Sequence, residues 1–250
     1  MFNKLLLVNL LVLFAGVSSA QKTYTQASIH SHNDYTRPQA FYNAYNAGVG
    51  FIEADVYLRN GKLMVAHDSS QISADRTLNT LYLQPLQKVQ RPVTLVIDLK
   101  ESYAPLLIEV LRELQPIKTM LNAGDGKSPV TILITGNRPA PADYDKYPPY
   151  ILFDDDLQKP HNAEQWKRVA EVSLNFANYS AWKGEGELSK KDEAVLKSVV
   201  NAVHAAGKKV RFWGNPDNVA GWQKLMDIGV DILNTDKIDE LKSFIAAKSR

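Results

Sequence analysis

From residue 24 to the carboxyl end, short apolar strand-like segments alternate with helical patterns eight times, and few folds accept that order. The strand-like segments are residues 24–29, 51–58, 92–100, 130–135, 150–153, 172–176, 209–213 and 231–234. Helical patterns fall at 38–48, 103–114, 162–170, 189–206, 216–228 and 236–247, with a loop and a short helical piece over 69–90. The helix at 189–206 is the longest, with Asp192 and Glu193 in its first turn and Gly207 just past its end. Eight strands alternating with helices predict a single closed (β/α)8 barrel, the TIM barrel. A doubly wound open sheet is the competitor, but no glycine-rich phosphate fingerprint follows the first strand. No repeat, low-complexity tract or Pro/Gly-rich linker divides the pattern, so one domain is expected over 21–250.

Residues 1–20 stand outside the alternation. Lys4 precedes an apolar run over 5–17, interrupted by Asn9, and Ser18-Ser19-Ala20 supplies small residues for cleavage. This is the layout of a secretory signal peptide. The run is shorter than the roughly twenty residues a bilayer-spanning helix needs. Export to a periplasmic or extracellular compartment, with cleavage near Ala20 and no stable membrane anchor, is therefore expected. The chain has no cysteine, which excludes a lipid-modified cysteine, a disulfide framework and thiolate metal ligands. Its formal charge is +2, or +1 without Lys4 (28 basic against 27 acidic residues), so nothing points to nucleic acid as a partner. No feature specifies an oligomeric state.

The chemistry concentrates in residues 51–68, FIEADVYLRNGKLMVAHD, which read as a strand, a tight turn at Arg59-Asn60-Gly61 and a returning strand. Glu53 and Asp55 are two apart on the first strand, so both carboxylates leave on one face. Taken alone, such a pair is often a solvated face. Here Phe51, Ile52 and Val56 surround it, and two unpaired carboxylates are costly to bury side by side. A divalent cation would relieve that cost. In a barrel, sites form at the carboxyl ends of strands. His30 and His32 follow the first strand, His67 ends the hairpin, and Asp98 and Lys100 close the third strand, again two apart. Asp98 and Lys100 alone would read as an ion pair, but the coincidence of these groups at three adjacent strand ends points to a site. Later strand ends offer Asn137, Arg138, residues 154–156, Asn175, Trp213 and Asn234. Of the five histidines, His161 in a loop and His204 on a helix are read as structural. Three oxygen ligands, Glu53, Asp55 and Asp98, suit Mg²⁺ or Ca²⁺ rather than zinc. Two imidazoles beside that cation suit a general acid and a general base, and Lys100 adds fixed positive charge for an anion. A phosphate diester needs this combination.

The order of motifs resembles the glycerophosphodiester phosphodiesterase-like superfamily of barrels, which includes phosphatidylinositol-specific phospholipase C and the sphingomyelinase D-type lipases. The resemblance runs from His32 to the carboxyl end. AGVGFIEADVYLRNGKLMVAHD is similar to the family's second-strand segment, and IDLK to the third strand of its sphingomyelinase D-like branch. VRFWGNPDN and GVDILNTDKIDEL resemble its last two strands. The resemblance implies that Glu53, Asp55 and Asp98 bind the metal and that His32 and His67 are the catalytic pair. It further implies that Lys100 contacts phosphate and that Trp213 lies over the substrate. The chain departs from the usual His-Arg-Gly and Pro-Glu-Asn-Thr with His32-Asn33-Asp34-Tyr35, has Asp98 where glutamate is usual, and is short over 69–90 where many relatives carry a lid. The chemistry therefore transfers more directly than the substrate, with Asn33 assigned the phosphate contact of the missing arginine. The expectation is a secreted, metal-dependent phosphodiesterase acting on a small phosphodiester of the glycerophosphodiester or phospholipid-headgroup type. Two other readings compete with it. The His30-x-His32 pair suits an amidohydrolase or PHP-type metal hydrolase, and the same barrel without catalysis would be a phospho-ligand-binding module.

Overall fold

The computed structural model describes residues 22–124 and 126–248, so the leader read at 1–20 lies outside the described residues. The described residues form nine strands: β1 (Ile29–Ser31), β2 (Phe51–Arg59), β3 (Lys62–Val65), β4 (Val93–Leu99), β5 (Val130–Gly136), β6 (Ile151–Asp155), β7 (Val169–Asn175), β8 (Lys209–Trp213) and β9 (Ile232–Thr235). All except β3 run parallel in the order β1-β2-β4-β5-β6-β7-β8-β9, and β9 pairs with β1 to close the (β/α)8 barrel. The helices are α1 (Tyr42–Asn46), α2 (Gln84–Leu86), α3 (Tyr103–Glu113), α4 (Ala163–Lys167), α5 (Lys190–Ala205), α6 (Val219–Asp227) and α7 (Ile238–Lys248). None of the described helices is long and apolar enough to cross a membrane.

β2 is long because it serves two partners. Residues 51–56 pair with β4 inside the barrel, and residues 56–59 continue beyond it to pair antiparallel with β3. Asn60 and Gly61, with φ of 51° and 70°, form the tight turn that positive φ at both central positions requires. The hairpin thereby returns the chain to the carboxyl-end mouth, where Ala66 N–H donates to Asp55 C=O at 3.3 Å.

Three of the boundaries that differ from the sequence reading have a clear local reason. The first strand is residues 29–31 rather than 24–29, because Gln26–Ser28 is a 3-10 turn capped by the Thr25 hydroxyl. The first helix begins at Tyr42 instead of residue 38: Phe41 has φ 66°, and its N–H is taken by Asp34 Oδ2 at 2.6 Å. The helix read at 162–170 stops at Lys167, and the next strand starts at Val169, paired with Phe153.

Candidate active site

The site is built from strand ends. Parallel pairing of β2 with β4 sets Asp55 directly beside Asp98, and Glu53 lies one pleat deeper on the same face as Asp55. One ligand oxygen from each of Glu53, Asp55 and Asp98 can be chosen so that all lie within 4.8 Å of one another. Lys100 Nζ sits 2.8 Å from Asp55 Oδ2 and 2.5 Å from Asp98 Oδ2.

The three acids are held differently. Glu53 Oε2 accepts from His30 Nε2 at 2.5 Å and from Arg211 Nη2 at 3.1 Å. Burial alone would raise this carboxyl, but the Arg211 charge and the His30 hydrogen bond outweigh it and hold Glu53 well below the usual range. Asp55 is pushed up to about 6 by burial and by the charges of Glu53 and Asp98, against the pull of Lys100. Its Oδ1 is buried with no hydrogen-bond partner. Burial and Glu53 raise Asp98 as well. Three carboxylates, two of them buried, share only Lys100 and Arg211 and leave one carboxylate oxygen unpartnered, which fits a hard divalent cation on oxygen ligands.

Two histidines flank the cluster and line the same cavity, of about 640 Å³. His32 Nδ1 lies 2.9 Å from Asp236 Oδ1. Burial disfavours its charged form, but the Asp236 hydrogen bond and the charges of Glu53 and Asp236 raise it overall. His67 is half exposed, with Nδ1 3.2 Å from Tyr35 Oη and 3.5 Å from Asp55 Oδ2. His30 is different: fully buried and lowered to about 4 by burial and the Arg211 charge, it is a neutral donor to Glu53.

Lys100 and Trp213 also line the cavity, and Trp213 is exposed there. Asn33 does not. Its backbone is left-handed (φ 49°), and its side-chain amide lies 2.9 Å from His32 Nδ1, 3.3 Å from Asp236 Oδ1 and 2.6 Å from Tyr35 Oη. Those contacts hold the Asn33 side chain against His32, Asp236 and Tyr35, outside the cavity lining. The remaining histidines sit elsewhere: His161 stacks on Trp166 with centroids 4.5 Å apart, and His204 Nε2 lies 2.8 Å from Asp231.

Sequence reasoning missed Arg211, Glu171, Tyr35 and Asp236. Arg211 occupies the barrel interior, gripping Glu53 and Asn234 Oδ1 (2.8 Å), with Glu171 Oε1 4.0 Å away. Barrel interiors are usually packed with branched apolar side chains, so this charged layer is there at a cost. Glu171 is buried with both oxygens lacking a hydrogen-bond partner. Burial, only partly offset by Arg211, pushes its carboxyl from the ordinary 4.5 up to about 8. The folded protein therefore keeps a proton that the unfolded chain releases, and this site's contribution to stability falls as pH rises from 4.5 through about 8. Glu171→Gln should remove that dependence. In urea unfolding at pH about 5 and about 9, the wild type should lose on the order of a few kcal/mol relative to the variant. Equal losses in both proteins would show that Glu171 is not the titrating group.

The chain is similar to known proteins in sequence and in fold. A family model described as the AIM6-like phosphodiesterase domain matches residues 19–92, the stretch that carries His32, Glu53, Asp55 and His67. The altered inheritance of mitochondria protein 6 homolog of Arthroderma benhamiae is 26% identical over 271 residues, covering 86% of this chain and 83% of that protein. The altered inheritance of mitochondria protein 6 of Eremothecium gossypii is 26% identical over 277 residues, covering 86% and 69%. In fold, the chain is similar to a glycerophosphodiester phosphodiesterase from Parabacteroides distasonis, with TM-score 0.62, 15% identity and coverage of 89% and 98%. A putative glycerophosphoryl diester phosphodiesterase from Agrobacterium tumefaciens gives TM-score 0.55, 14% identity and coverage of 89% and 99%. The resemblance to glycerophosphodiester phosphodiesterases, read first from motifs, thus holds in fold as well.

Proposed function

We propose that this chain is a metal-dependent phosphodiesterase acting on a small phosphodiester of the glycerophosphodiester or phospholipid-headgroup type. One observation carries the reading: three carboxylates, two buried and Asp98 half-buried, converge within 4.8 Å, and histidines from two different strand ends open onto the same cavity. Glu53, Asp55 and Asp98 would hold one Mg²⁺ or Ca²⁺, which when bound neutralises charge on the phosphoryl oxygens. Lys100 and Arg211 bring fixed positive charge to the cavity wall. His67 is the base that takes the proton of the attacking hydroxyl, from water or from a neighbouring hydroxyl of the substrate. His32, whose protonated form Asp236 favours, gives a proton to the leaving alkoxide from Nε2, because Nδ1 faces the carboxylate. Trp213 covers the substrate at the cavity mouth. The leader-like residues 1–20 support an activity outside the cytoplasm, on a diester of lipid turnover.

The carboxylate cluster includes no histidine among the described residues, and His161 and His204 are engaged by Asp155 and Asp231. That favours a hard-cation diesterase over a histidine-rich binuclear hydrolase. The test is hydrolysis of bis(p-nitrophenyl) phosphate and glycerophosphocholine with EDTA, then with Mg²⁺ or Ca²⁺ restored. Activity lost to the chelator and recovered with either ion is the expected result. Undiminished hydrolysis in EDTA would remove the metal from the mechanism. Tight binding of a diester without hydrolysis would make the barrel a binding module.

A further inference from the structure

We infer that Tyr35 is a positioning residue whose hydroxyl fixes the tautomer and the aim of His67, leaving Nε2 as the nitrogen that meets the substrate. The inference rests on the reading of His67 as a catalytic group. It also gives a purpose to the His32-Asn33-Asp34-Tyr35 stretch, where the chain departs from the family's usual sequence.

The turn that presents Tyr35 is held from every side. Asn33 enters it in the left-handed region, at φ 49°. Asp34, fully buried, accepts from Ser31 Oγ at 3.1 Å, Phe41 N–H at 2.6 Å and Tyr82 Oη at 3.1 Å. The Arg76 guanidinium donates to the Tyr35 carbonyl. Tyr35 is itself buried, so its ring has one place to go. Its hydroxyl reaches Asn33 Oδ1 at 2.6 Å, Asp55 Oδ2 at 2.8 Å and His67 Nδ1 at 3.2 Å.

Proton counting then decides the tautomer. The phenol has one proton, and two of its three contacts are oxygen acceptors. Its proton is therefore committed to oxygen, and the contact with His67 Nδ1 must be an N–H donated to the phenol's lone pair. Asp55 Oδ2, 3.5 Å from the same nitrogen, favours a proton there as well. Because the His67 ring is half exposed, packing alone does not hold it, and the hydrogen bond to Tyr35 supplies its orientation. The same hydroxyl joins the acid/base group to Asp55, so a histidine on the hairpin and an acid on β2 are set relative to each other by one atom.

The experiment is two-bond ¹H–¹⁵N NMR on Mg²⁺-loaded protein at a pH where the ring is neutral, since that correlation separates Nδ1–H from Nε2–H. Wild type should show His67 as the Nδ1–H tautomer. Tyr35→Phe, which keeps the ring and its packing, should move it towards Nε2–H. The same variant should lower kcat about 10- to 100-fold while KM stays within about threefold, as loss of an orienting partner does. An Nε2–H ring in the wild type, or an unchanged tautomer and kcat in Tyr35→Phe, would overturn the inference. Full activity in His67→Ala would instead overturn the functional reading, and the tautomer measurement does not depend on it.

Discussion

Glu53→Gln should lower kcat/KM by about three orders of magnitude, or about 4 kcal/mol of transition-state stabilisation, and weaken Mg²⁺ binding in parallel. Glutamine keeps the length and one acceptor oxygen, so the loss isolates the charge. That charge serves the carboxylate cluster and also anchors Arg211, whose Nη2 lies 3.1 Å away inside the barrel. Removing one partner of a buried ion pair typically costs about 3–5 kcal/mol. Here a reserve acid stands close by: Glu171, held neutral by burial, is 4.0 Å from Arg211 Nη1. With Glu53 neutral, the guanidinium should draw Glu171 into ionising, so the single variant should lose less than the full penalty. Glu53→Gln combined with Glu171→Gln should then lose more than the sum of the two single variants, because their effects are coupled through one side chain. Mg²⁺ titration by calorimetry and urea unfolding of the three variants measure both parts. Unchanged Mg²⁺ affinity in Glu53→Gln would remove Glu53 from the ligand set, whatever happens to the rate.

The contrast between Glu53 and Arg211 shows what the sequence could and could not reveal. Glu53 and Asp55 stand out because two acids at strand spacing interrupt an apolar run, and Asp98 with Lys100 repeats the pattern on the neighbouring strand. The parallel register that sets Asp55 beside Asp98 then follows from strand order. Arg211 lies in VRFW, where a lone cation has no local signature, and its partner Glu53 is 158 residues away. Asp236 is similar: its role depends on β9 closing against β1, which brings it to His32 across 204 residues. Glu171 has no such signal either: it is a single acid, and it falls inside a strand only because β7 begins at Val169 rather than at residue 172. The misplaced start of the first helix has the same origin. Pro38 suggested a helix start, but the buried Asp34 carboxylate captures the Phe41 N–H and sets a turn there instead. Periodicity reveals which residues share a face, whereas the pairing of single charges across the barrel depends on closure.

The roles assigned to the two histidines should separate when the leaving group is changed. A p-nitrophenolate departs without help, whereas a glycerol or other alkyl alkoxide needs a proton as the bond to phosphorus breaks. His32, placed by Asp236 with Nδ1 at 2.9 Å and raised overall in pKa, is the proton donor in this reading. His32→Ala should therefore lose about 10²- to 10⁴-fold on glycerophosphocholine and far less on bis(p-nitrophenyl) phosphate. His67→Ala removes the base needed to activate the attacking hydroxyl in both reactions, so it should lose a comparable factor on both substrates. Asp236→Asn provides an internal check, because it leaves the imidazole in place but removes the carboxylate that favours its protonated form. Its losses should follow the leaving-group dependence of His32→Ala at smaller size. The decisive quantity is the ratio of the two substrates' kcat/KM values in each variant, which cancels any common loss from misfolding or weakened metal binding. If the ratio shifts in His67→Ala and stays constant in His32→Ala, the acid and base are the other way round. If it stays constant in both, neither histidine protonates the leaving group.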